Sequence, residues 1–79
     1  GQSHNYEQEE LLGLVQTALE YLDYEYREVF VMRQYHDLSY EEIAEITGDT
    51  IPALKNRVWR AKEKIKHILS PYIADISKL

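Results

Sequence analysis

The sequence predicts an all-α fold, a bundle of four helices, and three observations predict it. Apolar residues recur at three- and four-residue intervals in four separate windows. Strong start and stop signals separate the last two of them. The one run that reads as a strand, Val29-Phe30-Val31-Met32, finds no partner in the chain, and an isolated strand cannot satisfy its backbone. At 79 residues the chain is expected to be a single domain over 1–79. A chain of this size buries only about 60% of its unfolded surface, which leaves no room for a deep enclosed active site.

The first window places Leu11, Leu12, Val15, Ala18, Leu19 and Leu22 on one stripe of about four turns. Gly13 weakens that helix slightly. The second window runs from Tyr24 to Tyr35, with Tyr26, Val29, Phe30 and Arg33 at helical spacing. In the third, Ser39 and Glu42 form a capping box, and Leu38 and Ile43 flank it as a hydrophobic staple. Gly48 is the natural left-handed stop, so this helix covers about Tyr40–Thr47. The fourth restarts at once, with Thr50 as N-cap and Pro52 in the first turn. Ile51, Leu54, Val58, Ala61, Ile65 and Ile68 then form a seam of nearly five turns. Residues 1–6 are expected to lack fixed structure or to be foreign to the natural chain. Residues 70–79, with Ser70-Pro71 at their start, are expected to form a short last helix or a frayed tail.

A short helix, a tight glycine-containing turn and a longer basic helix outline a helix-turn-helix. No strand pair follows, so no wing is expected. On the fourth helix the i,i+4 pairs Lys55/Trp59 and Asn56/Arg60 lie side by side, about 100° or more from the Leu54/Val58 seam. They make one patch near the end of the helix that enters the major groove in this motif. Lys and Arg pair with guanine edges or phosphates, Asn with adenine, and an aromatic contacts a thymine methyl. Arg57, Lys62, Lys64 and Lys66 flank the patch as candidate phosphate ligands. The competing reading is a charged outer face with Trp59 packed on a neighbouring helix.

The net charge of −5 argues against a nucleic-acid partner until the chain is divided. Residues 1–50 hold twelve acidic and two basic residues, whereas 51–79 hold seven basic and two acidic ones. A basic stripe on one helix is the footprint of phosphate contact, and equally that of a solvated face answering an acidic half.

Three stretches then carry a resemblance. They are Glu28-Val29-Phe30-Val31-Met32-Arg33, Leu38-Ser39-Tyr40-Glu41-Glu42-Ile43-Ala44-Glu45-Ile46 with Gly48, and Leu54-Lys55-Asn56-Arg57-Val58-Trp59-Arg60-Ala61-Lys62. From about Tyr24 to Leu69 the chain resembles region 4 of bacterial sigma factors, nearest to the extracytoplasmic-function group. The resemblance implies a domain that binds the −35 promoter element and touches the β flap of RNA polymerase core. It further implies an anti-sigma factor as a partner and a promoter-melting region 2 that precedes this segment. It puts DNA contacts on Lys55, Asn56, Trp59 and Arg60, with Arg57 nearby, and a polymerase-facing groove near Tyr35, Leu38 and Ile43. The chain departs from the family pattern at Asp49, where a branched apolar residue is usual, at Pro52 (usually small) and at Ala53 (usually Thr).

Other chemistry is sparse. There is no cysteine, hence no disulfide framework and no thiolate metal site. His4, His36 and His67 lack ligand spacing, and no metal or cofactor is expected. His36, Asp37 and Ser39 crowd into one turn, whereas a nucleophilic triad needs a base oriented across a pocket; the expectation is a non-enzyme. The tyrosines Tyr21, Tyr24, Tyr26, Tyr35 and Tyr40 read as gap fillers of a small core or as the lining of a partner groove. No run reaches the ~18 apolar residues needed to span a bilayer, and Glu7, Glu9 and Glu10 do not suit a signal peptide. A cytoplasmic domain, monomeric in isolation and without a membrane partner, is expected. Two rival readings remain: a response-regulator output domain, which would dimerise, and a sigma-like adaptor that binds only protein.

Overall fold

The structure is a computed structural model that describes residues 2–72, with side chains described from residue 9. Four helices follow one another: α1 (Gln2–Leu19), α2 (Tyr24–Gln34), α3 (Tyr40–Thr47) and α4 (Ile51–Leu69). Among the described residues there is no strand. Helix α3 has the bounds that its caps predict, and α4 starts where Thr50 places it. Helix α1 begins far ahead of its apolar stripe and covers residues 2–6, which were expected to lack fixed structure or to be foreign to the natural chain. Nothing there breaks a helix, and adding residues to a formed helix costs far less than starting one. Residues 70–72 form a turn with the Tyr72 N–H donating to the Leu69 carbonyl at 2.8 Å. The remainder of the expected tail, 73–79, lies outside the described residues.

Helix α4 is the common wall of two cores. Its C-terminal half, through Ala61, Ile65 and Leu69, packs with Val15, Ala18, Leu19, Leu22 and Phe30. Its N-terminal half, through Leu54 and Val58, packs with Val29 and Ile43. Helix α2 joins the cores because Val29 and Phe30 are successive residues, about 100° apart around the helix, and each faces a different cluster. Full burial of each Val, Leu, Ile or Phe side chain here contributes about 1.5–3 kcal/mol. Leu12 departs from the expected stripe: it is 52% exposed, because α1 turns its face toward Val15 and Ala18.

The helix-turn-helix is fixed by local hydrogen bonds. The Glu42 N–H donates to Ser39 Oγ at 3.1 Å, and the Ser39 N–H donates to Glu42 Oε1 at 2.9 Å, closing the capping box. Leu38 and Ile43 meet in the second core as the staple requires. Gly48 ends α3 at φ 79°, with its N–H donating to the Ala44 carbonyl. Thr50 then caps α4 by accepting the Ala53 N–H.

Candidate nucleic-acid interface

The roll of α4 follows from its buried residues. With Leu54 fully buried and Val58 nearly so, the residues beside them must turn outward. Lys55, Asn56, Trp59 and Arg60 are all exposed and share the N-terminal half of the helix. Trp59 is 61% exposed, so it does not fill a gap against a neighbouring helix. A large exposed aromatic among cations is costly to leave in water and suits contact with a base.

Lys55 is placed by a neighbour. Its Nζ lies 5.6 Å from the centre of the Tyr40 ring, and the Arg33 guanidinium lies 5.1 Å from the same centre. Arg33 is held by donating to the Leu38 carbonyl at 3.1 Å, with Asp37 at 3.7 Å. Two cations from different helices thereby gather on one ring at the start of α3. Arg33 and Tyr40 extend the patch, and neither was singled out from the sequence as part of it. The available signal was a cation on the last turn of α2 a short loop away from the capping box.

The other basic residues part company with the patch. Arg57 turns back to the turn, with its Nη1 2.8 Å from Asp49 Oδ2. That hydrogen bond holds the Asp49 carboxyl below its ordinary range and raises the Arg57 guanidinium. Lys62 leaves the face for a groove shared with Leu11, Leu12, Val15, Phe30, Gln34 and Tyr35. Lys64 sits beside Arg60 in a shallow cleft with Tyr21, Asp23 and Tyr26, continuous with the patch. Lys66 pairs with Glu63 at 3.6 Å. Among the described residues, Lys55, Arg60, Lys62 and Lys64 have no carboxylate within ion-pair distance, so α4 carries a concentration of unanswered positive charge.

The expected partner groove of Tyr35, Leu38 and Ile43 is not one surface. Ile43 is fully buried beneath α3 and Leu38 packs on the same core, so neither forms an open groove. Leu38 is half-buried, and Tyr35 is the one exposed member of the three. Its ring stands edge-on to Phe30 at 6.4 Å, and burial raises its hydroxyl above the usual tyrosine range. It borders the separate groove of about 220 Å³ that contains Lys62 and Leu12. Within the His36-Asp37-Ser39 turn, Ser39 Oγ accepts the Glu42 N–H as the cap of α3. Among the described residues no three His, Asp or Glu side chains gather as metal ligands, and no helix is long and apolar enough to cross a membrane.

The family model described as sigma-70, region 4 matches residues 12–65. The chain is 46% identical over 44 residues to the RNA polymerase sigma factor SigV of Bacillus subtilis, covering 56% of this chain and 26% of that protein. It is 35% identical over 65 residues to the ECF RNA polymerase sigma-E factor of Escherichia coli K12, and the same holds for that of Salmonella typhimurium LT2. Those alignments cover 82% of this chain and 34% of each relative. The chain therefore spans about a third or less of the length of these curated relatives. No solved structure matches it.

Proposed function

The chain belongs to the sigma-70 region 4 family, and on that premise we propose that it is the domain of an alternative sigma factor that reads the −35 promoter element. One observation carries this reading. Lys55, Asn56, Trp59 and Arg60 are exposed together on the N-terminal half of α4, directly across the helix from the buried Leu54 and Val58. That face enters the major groove. Lys55 and Arg60 bind guanine edges or phosphates, Asn56 pairs with an adenine edge, and Trp59 packs on a thymine methyl. Arg33 beside Tyr40 takes a phosphate at the start of α3, and Lys64 takes one beyond Arg60. The domain performs no chemistry. It places RNA polymerase core on the promoter in the cytoplasm, touching the β flap, and an anti-sigma factor competes for its surfaces.

Binding to duplexes selected from a random pool tests the reading. Lys55→Ala and Arg60→Ala should each weaken the selected complex by about 1–3 kcal/mol. Unchanged affinity in both variants removes this face. The acidic first fifty residues favour one second reading, a sigma-like adaptor that binds only protein. The absence of salt-dependent DNA affinity, even within assembled polymerase, would favour it.

A further inference from the structure

The turn between α3 and α4 holds a contact that DNA reading does not use. Asp49 and Arg57 meet at 2.8 Å and tie the turn to α4 across eight residues. Both side chains are drawn in, at 36% and 23% exposure. The turn is braced from the other side as well. The Thr47 hydroxyl donates to the Ile43 carbonyl at 3.0 Å and accepts the Asp49 N–H at 3.2 Å. Asp49 is thus bonded toward α3 through its backbone and toward α4 through its carboxylate.

Arg57 lies between Asn56, on the outer face, and Val58, in the core. The direction in which it is held therefore bears on the roll of α4 at the level where the recognition side chains emerge. An unpaired carboxylate in this turn would also repel a DNA backbone, and the guanidinium removes that charge. A phosphate that claimed Arg57 would leave Asp49 exposed to the same backbone.

Resting on the DNA-reading function above, we propose that Asp49 and Arg57 are a latch that orients α4, so that both are positioning residues for recognition and Arg57 is withheld from phosphate. The latch acts on the fit of the recognition face and leaves the number of phosphate contacts unchanged.

The test compares wild type, Asp49→Ala, Arg57→Met and the double variant. Each binds a duplex selected by the wild-type domain and a random-sequence duplex, over a salt series, well below the melting temperature. Each single variant should lower the preference for the selected duplex by about 3- to 10-fold, and the double variant should lose no more. The slope of log affinity against log salt should not change in Arg57→Met or the double variant, and Asp49→Ala, which frees Arg57 for phosphate, should steepen it by no more than about 0.9. Swapping the charges, Asp49→Arg with Arg57→Asp, should restore part of the preference, which a residue needed only for folding would not do. A slope reduced by about 0.9 in Arg57→Met, with tighter binding in Asp49→Ala, makes Arg57 a phosphate ligand and overturns the latch. Where Arg57→Met does not fold, Asp49→Asn keeps the side-chain shape and gives the same reading. Failure of the wild type to bind DNA, even when assembled with polymerase, refutes the function, and the melting temperatures then decide whether Asp49 and Arg57 are coupled. Equal losses in both singles and the double support the coupling, and additive losses overturn it.

Discussion

Ile43 and Trp59 lie on adjoining helices and have opposite surroundings, and each predicts a different failure on truncation. Ile43 is wholly buried between Val29, Leu54 and Val58. Ile43→Ala should cost about 2–5 kcal/mol by thermal melting, a large share of the stability of so small a domain. Trp59→Ala should move stability by no more than about 0.5 kcal/mol, because its side chain rests mainly in water. Its loss should appear in DNA affinity. The sequence marks Trp59 as off the seam but leaves packing on a neighbouring helix open, and its exposure in the fold decides that it is outside the core. Ile43 is harder to read, since the apolar stripe of a short helix suits a partner as well as a core. Which one it meets depends on where α2 and α4 pass. Arg57 is harder again. Nothing in its spacing distinguishes a phosphate ligand from the partner of Asp49, eight residues away, until the turn is folded.

At the scale of the element, α3 is stabilised at both ends by residues that act through the backbone. Ser39→Ala removes the acceptor of the Glu42 N–H and should cost about 1 kcal/mol by chemical denaturation. Gly48→Ala meets no atom within 4 Å, so its cost is that of holding a side chain at φ 79°, about 1–2 kcal/mol. The capping box is also sensitive to acid. The hydrogen bond from the Ser39 N–H lowers the Glu42 carboxyl, with the Ser39 side chain adding to it. A carboxyl lowered in the folded state contributes stability above its unfolded value, near 4, and that contribution is lost as pH falls through the folded value. Acid titration of the melting temperature should thus show a loss below about pH 4 that is smaller in Glu42→Gln. These ends were legible because caps are local: Ser39, Glu42, Gly48 and Thr50 state where α3 stops and α4 starts. The start of α1 was not legible, since its apolar stripe begins only at Leu11, well inside the helix.

For the whole molecule, the division of charge is the governing feature. The acidic first fifty residues supply α1–α3, and the basic residues past Ile51 concentrate on α4, the helix shared by both cores. The overall charge of −5 opposes DNA at long range, so binding by the isolated domain should be weak and strongly dependent on salt. On the proposed function, attachment to polymerase core would supply the proximity that the domain's own field does not. The most direct measurement of this account is the emission of Trp59, the only tryptophan, during titration with a random-sequence duplex at rising salt. The account predicts an emission change on binding, with log affinity falling linearly against log salt by roughly 0.9 per phosphate contacted. DNA bound at low salt with Trp59 emission unchanged would put the interface elsewhere and contradict the role of the α4 face.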